Sequence, residues 1–348
     1  LILGVKNLDL DIVVEGDGIK FAELLSQKLN ARLTCHRRFG TATVILKEHL
    51  KVDVATARQE YYPEAAHLPE VTRGALKDDL FRRDFTINAM AISINRQDFG
   101  SFIDCFGGEA DLAAKKIRIL HELSFIDDPT RILRAIRFEQ RYNFKIEPKT
   151  LKLLRKANEL EMLERVQAQR LRDELILILK EEHPLKQLNR IKGLTGFNFI
   201  NSGLQLSKKT SQLLKSVENQ ISWFKSKYPK HRQLDSWLIY FIGLIDQLNI
   251  NNIKLICKKF VFRRGEEKRI LNYKKLNSKF IKELSCGKIK ASKVFSFLEP
   301  LSYEVIILIK AKFSPLISGI PQNARKNRNI KRHVEDFFEI YNGMRLYI

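Results

Sequence analysis

Two aspartates stand one residue apart inside NLDLDIVV, residues 7 to 14, a run otherwise suited to a β-strand. Strand side chains alternate faces, so Asp9 and Asp11 point one way while Leu8, Leu10 and Ile12 point the other. Like charges at that spacing repel unless a cation lies between them. The pattern suits a divalent metal held by both carboxylates, or a solvated acidic face on a half-exposed strand, and the octamer alone leaves both open.

LFRRDFTINAM, residues 80–90, joins paired arginines to an acid, a threonine and an asparagine. An Arg fork binds phosphate oxygens in bidentate fashion, and an Asn amide reads a hydroxyl. The competing reading is a surface turn stitched by an Arg–Asp pair. FIDDPTRILRAIRFEQR, residues 125–141, is more pointed. Asp128 followed by Pro129 is a helix start, with Asp as the cap and Pro at the first helical position. Arg131, Arg134, Arg137 and Arg141 then fall within an arc of about 120° of a helix, with Ile132, Leu133 and Ile136 on the other side. A solvated face normally mixes Lys and Glu into such a stripe. An all-Arg row on a helix that opens with two acids suits a polyphosphate, with the first acid and Arg set for a planar base edge.

Short mixed patterns surround these residues up to about residue 112. Strands are expected at 9–14, 32–35, 43–46 and 52–55, and an amphipathic helix at 19–29. TVILKEHLKVDVAT reads as a hairpin that sets Asp53 on a strand able to lie beside the first. GALKD (74–78) reads as loop, Phe85 to Ser93 as a helical or buried segment, and FGGEADL (106–112) as a Gly-rich turn. From about residue 126 onward nearly everything has helical periodicity. The expected class is α+β: a head with a mixed sheet and helices, followed by an all-α neck, body and tail.

The chain of 348 residues carries 62 Lys+Arg against 40 Asp+Glu, a net charge of +22. Residues 1–200 hold 33 of the bases and 29 of the acids, leaving +4, while residues 201–348 carry the remaining +18. A nearly neutral front joined to a basic back suggests a catalytic part and a polyanion-binding part. The bases are spread over helical patterns with apolar faces rather than gathered in one block, which favours nucleic acid over a membrane. No apolar run reaches transmembrane length, and the start has no signal-peptide pattern. The four cysteines lie far apart without metal-ligand spacing, as expected of reduced thiols in a cytoplasmic protein.

Taken in order, DLDIVVEGD, RRDFTINAMA, FIDCFGGEADL, IDDPTRILRAIRF and LERVQAQRLRDEL resemble the class II tRNA nucleotidyltransferases, the bacterial-type CCA-adding and A-adding enzymes of the polymerase-β superfamily. The likeness covers roughly residues 1–190. It implies a nucleotidyltransferase head over 1–112, a nucleotide-selecting helical neck over 113–185, and a basic tRNA-binding body and tail over 186–348. It also implies Mg²⁺ on the catalytic pair Asp9 and Asp11. Arg83, Asp84 and Asn88 would serve the incoming nucleotide and its ribose. Asp128 and Arg131 would stand in for a template against the base of CTP or ATP, with Arg134 and Arg137 as further nucleotide contacts. Asp104, Gly107, Gly108 and Asp111 match a hinge turn between head and neck.

Two features depart from the family pattern. The acidic pair before the template Arg is Asp127-Asp128 where most relatives have Glu-Asp. The Gly-Gly-x-x-Arg-Asp segment that holds the triphosphate in relatives would lie upstream of residue 1, so the chain reads as truncated at its N-terminus. The expected activity is template-independent addition of C and/or A to tRNA 3′ ends with release of pyrophosphate. A bacterial poly(A) polymerase and a non-catalytic RNA-binding relative are the alternatives. Asp53 is left between a third catalytic carboxylate and a buried strand residue paired with Arg58.

Overall fold

The computed structural model describes residues 10–46, 50–229, 233–276, 278–287, 289–313 and 324–345. Asp9 lies outside them. The chain divides into two compact units: residues 1–131 with 142–157, and residues 132–141 with 158–348.

The first unit is built on β1 (Leu10–Val14), α1 (Gly18–Lys28), β2 (Arg32–His36), β3 (Thr41–Ile45) and β4 (Lys51–Thr56). The sheet order is β1-β4-β3-β2, with β1 parallel to β4 and the β2–β3 and β3–β4 pairs antiparallel. The alternation of the sequence decides its two faces. Ala42, Val44, Val52 and Val54 are buried with Ala22 of α1, and Ile12, Val14, Leu33 and Cys35 pack against them. The other face keeps the polar residues. Asp17 caps α1, accepting from the N–H groups of Ile19 and Lys20 at 3.1 Å, which holds its carboxyl below the usual range.

The unit continues through β5 (Arg58–Tyr61), β6 (Glu70–Arg73), α2 (Leu76–Phe81), β7 (Met90–Ile92), β8 (Phe102–Asp104), α3 (Gly108–Ala113), β9 (Lys116–Ile117), α4 (Ser124–Asp127), the first residues of α5 (Thr130–Tyr142), then β10 (Lys145–Ile146) and most of α6 (Pro148–Glu159). Two local expectations change here and one is borne out. The segment 74–78 is not all loop: α2 begins at Leu76, with Asp78 accepting from the Ala75 N–H at 2.9 Å. Residues 85–93 begin, as expected, as a buried helical segment, a 3₁₀ turn with Phe85, Thr86, Ile87 and Ala89 buried, and continue into β7. FGGEADL is the start of α3 rather than a bare turn. Gly107 takes a left-handed φ of 74°, and a Cβ on Gly108 would stand 2.3 Å from the Thr86 carbonyl oxygen, so both positions need glycine.

The second unit holds the rest of α5 and then α7 (Met162–Arg165), α8 (Ala168–Leu179), α9 (Pro184–Leu194), α10 (Lys208–Lys227), α11 (Ser236–Leu244), α12 (Ile250–Lys259), α13 (Arg264–Lys274), α14 (Ser278–Leu284), α15 (Ala291–Leu298), α16 (Tyr303–Lys312) and α17 (Ala324–Arg345). Every residue of SWLIYFIGL in α11 is buried except the leading Ser236, and α16 is buried from Glu304 to Ala311. These are helices without a solvent face, so they form the centre around which amphipathic helices such as α10 pack. The α+β expectation holds, with the sheet and the helical body in different units. Among the described residues, no helix is long and apolar enough to cross a membrane. All four cysteines are free.

Candidate active site

Register sets the acidic face. Asp11 on β1 is the partner of Asp53 on β4, and Asp53 in turn is the partner of Thr43 on β3. All three face away from α1, and both carboxylates are exposed. Thr43 donates its hydroxyl to Asp53 Oδ1 at 2.6 Å, which orients that carboxylate. The reading of Asp53 as buried and paired with Arg58 does not hold, because Arg58 bonds Glu60 at 2.8 Å instead. Neighbouring strands lie about 4.8 Å apart, so two carboxylates in register offer only oxygen ligands across that gap. Such a donor set fits a hard divalent cation. Among the described residues, no group of three or more acids, histidines or cysteines gathers closely enough to be a metal cage.

The two arginines of RRD are held very differently. Arg82 gives Nε and Nη2 to Oδ1 of Asp79, at 2.9 and 2.7 Å, and Nη1 to Glu60 at 3.2 Å. Asp79 is fully buried, and Glu60 also accepts from Arg58 and, at 3.1 Å, from the Tyr62 hydroxyl. Burial, with Glu60 beside it, pushes that hydroxyl well above the ordinary tyrosine range. Arg83 has looser contacts, at 3.3 Å to the Asn88 carbonyl and 3.4 Å to Asp79. Its Nε is buried and has no partner among the described residues. Buried donors are nearly always bonded in a finished structure, so this Nε is poised for a ligand; among the described residues Arg137 Nε is buried and unpartnered in the same way. Asp84 is buried and accepts from the Phe85 N–H at 2.9 Å and from the Asn88 side chain at 3.0 Å. The expected ribose pair is therefore also a staple for its own turn.

Asp104 accepts from Gly108 and Glu109 N–H groups at 2.8 and 2.9 Å, at the N-terminus of α3. Burial works against its ionisation, but those N–H groups together outweigh it and hold the carboxyl below the usual range. Asp111 is buried and takes Thr86 Oγ1 at 2.7 Å together with both ends of the Arg118 fork.

At the start of α5, Asp128 Oδ1 accepts from the N–H and hydroxyl of Thr130, at 3.1 and 2.6 Å, as the cap expected before Pro129. Arg131 is only 4 % exposed. It donates to Ser124 Oγ at 2.7 Å, to the Arg82 carbonyl at 2.6 Å, and towards His121 Nε2 at 3.4 Å. All of these acceptors are neutral, so they fix the guanidinium without cancelling its charge. Neither Ser124 nor His121 carried a signal in the sequence beyond lying just upstream of the acidic pair.

The rest of the Arg stripe, within the second unit, is paired with carboxylates and runs from partly buried Arg134 and buried Arg137 to exposed Arg141. Glu174 of α8 binds Arg134 at 3.1 Å and Arg137 at 3.2 Å, one oxygen to each. Arg141 pairs with Glu181 at 2.7 Å. Arg134 and Arg137 also lie over the Phe138 ring, at 5.5 and 4.8 Å from its centroid. Glu174 belongs to LERVQAQRLRDEL, and spacing alone does not reveal which carboxylate meets the stripe.

A family model described as the poly A polymerase head domain matches residues 1–118, and one described as a probable RNA and SrmB-binding site of polymerase A matches residues 143–200. The chain is 39% identical over 318 residues to the A-adding tRNA nucleotidyltransferase of Geobacter sulfurreducens, covering 90% of this chain and 36% of that protein. It is 37% identical over 348 residues to the A-adding tRNA nucleotidyltransferase of Aquifex aeolicus, covering 98% of this chain and 41% of that protein. It thus spans well under half the length of both relatives. A crystal structure of a tRNA nucleotidyltransferase complexed with a primer tRNA and an incoming ATP analog superimposes with a TM-score of 0.79 at 33% identity, over 99% of this chain and 93% of that one. Nucleotidyltransferases with this head generally use a divalent metal. Head, register and motif order agree with these likenesses, and the chain belongs to the bacterial-type class II tRNA nucleotidyltransferases.

Proposed function

We propose that this chain adds C and/or A nucleotides to the 3′ end of tRNA without a nucleic-acid template, taking them from CTP or ATP and releasing pyrophosphate. The observation that carries the reading is Arg131: a buried guanidinium pinned only by neutral acceptors, on the helix that Asp128 caps. The serine hydroxyl and the imidazole hold Nη1 and the Arg82 carbonyl holds Nη2, which fixes the plane of the guanidinium. Two parallel donors beside a carboxylate imitate a base edge, which selects a nucleotide without RNA to copy.

Phosphoryl transfer asks for positioning and charge neutralisation more than for covalent help. Asp9 and Asp11 are assigned to Mg²⁺, with the exposed Asp53 in register beside Asp11. When bound, the metal supplies Lewis-acid stabilisation at the attacking 3′ oxygen and the departing pyrophosphate. Arg83 would contact the nucleotide through its unsatisfied edge, while Asp84 and Asn88 hold the turn that aims it. Arg134 enters as a nucleotide contact on the resemblance, since it already bonds Glu174, whereas Arg137 bonds Glu174 through Nη2 and keeps a buried Nε with no partner among the described residues. The functional division is a head over 1–112, a neck over 113–185 and a basic body over 186–348. The +18 carried by residues 201–348 of that body would grip the tRNA backbone in the cytoplasm and make affinity fall with salt.

The test is incorporation of labelled CTP or ATP, with Mg²⁺, into tRNA transcripts ending at the discriminator base, at CC and at CCA. The names of the relatives favour addition of A. Asp11→Asn should lower incorporation by about 10³-fold and leave tRNA binding intact, because Asp11 is exposed and its loss opens no cavity. An open-ended A ladder would mean a poly(A) polymerase, and salt-sensitive binding without incorporation a non-catalytic relative.

A further inference from the structure

Arg131 rests against an imidazole that the assigned chemistry leaves unused. His121 Nε2 lies 3.4 Å from Arg131 Nη1, and its Nδ1 lies 3.8 Å from Asp127 Oδ2. Its ring packs on Phe81, with centroids 5.3 Å apart. A guanidinium only donates, so Nε2 must be the acceptor, and the ring proton sits on Nδ1, facing Asp127. The ring is therefore neutral. A protonated ring would aim a second N–H at a cation. Burial first, and then the Arg131 charge, hold its pKa at about 4 against an ordinary 6.5.

The imidazole also has one nitrogen beside Arg131 and the other beside Asp127. Asp127 is half-buried, and burial raises its carboxyl although Arg131 pulls it down. Without the ring, Asp127 could reach the guanidinium and neutralise it, as Glu174 does for Arg137. With the ring in place, Arg131 keeps its charge.

We propose that His121 is a positioning residue for nucleotide selection, fixing Arg131 through a neutral Nε2 acceptor and screening it from Asp127. The inference rests on the reading of Arg131 as the base-selecting residue.

Two near-isosteric variants test it. His121→Phe keeps the ring packing on Phe81 and removes both nitrogens; His121→Gln restores an acceptor near the Nε2 position and never carries charge. Direct affinities for ATP, CTP, GTP and UTP should be measured beside incorporation kinetics and thermal unfolding. His121→Phe should raise KM for the accepted nucleotide, and cut its preference over GTP or UTP, by about tenfold, with kcat nearly unchanged. His121→Gln should stay within about twofold of wild type. A folded Phe variant with wild-type preference overturns the inference, and so does a Gln variant as unselective as Phe. If wild type adds nothing to tRNA yet prefers ATP or CTP in binding, the functional reading fails while the affinities still decide the role of His121. A wild type with no nucleotide preference overturns both.

Discussion

Arg131 and Arg137 lie on one helix, two turns apart, and both are buried, yet they are held in opposite ways. Arg131 meets a serine hydroxyl, a backbone carbonyl and a neutral imidazole. Arg137 meets a carboxylate that it shares with Arg134. Neutral acceptors repay the lost hydration of a cation while leaving its field intact; a carboxylate repays it and cancels the field. The same residue type thus keeps its charge at one end of α5, as the proposed reader of the base, and shares a carboxylate further along. The two arginines of RRD also differ, with Arg82 bound by two acids and Arg83, like Arg137, keeping a buried Nε unsatisfied.

The largest effect should come from removing the charge of the shared carboxylate. Glu174→Gln leaves two arginines, one of them buried, without their shared anion, and should cost about 3–5 kcal/mol in denaturant unfolding. A loss under about 1 kcal/mol would mean that the pair is no more than a screened surface bridge, and the contrast would collapse.

Acid should expose the reader's end next. The folded pKa of His121 is depressed from 6.5 to about 4, so its contribution is complete above about pH 6.5 and is lost as pH falls towards 4. That loss amounts to roughly 3 kcal/mol and should vanish in His121→Gln. An identical acid limb in both proteins would show that the ring does not have to stay neutral.

Importing that carboxylate chemistry sharpens the contrast further. Ser124→Asp puts a carboxylate where Arg131 now has a hydroxyl, so nucleotide affinity should fall about tenfold while the fold persists. Ser124→Ala is the mildest change. It removes one neutral acceptor from a buried donor and should cost about 1–2 kcal/mol in stability. Unchanged nucleotide affinity in Ser124→Asp would show that the charge of Arg131 is not what the ligand uses.

Much of this was legible before any coordinates. Alternation in NLDLDIVV and KVDVAT set which side chains share a sheet face, and the hairpin correctly brought Asp53 beside the first strand. Asp128-Pro129 announced the start of α5. The expectation for 74–78 failed because α2 takes its N-terminal hydrogen bonds from Asp78 and, through Leu76 N–H at 2.5 Å, from the distant Glu15. The alternative of a solvated Arg face failed because its partners, Glu174 and Glu181, lie a full helix away in sequence.

The division follows from range. Helix and strand periodicity, the Asp-Pro cap and the glycines before α3 are consequences of sterics among near neighbours, which any stretch of chain carries with it. The identities of the acceptors around Arg131, the exposure of Asp53 and the anion on Arg137 depend on residues brought together only by packing. Whether an arginine keeps its charge for a ligand or spends it on a carboxylate is decided there. Residue type alone is the same in both cases.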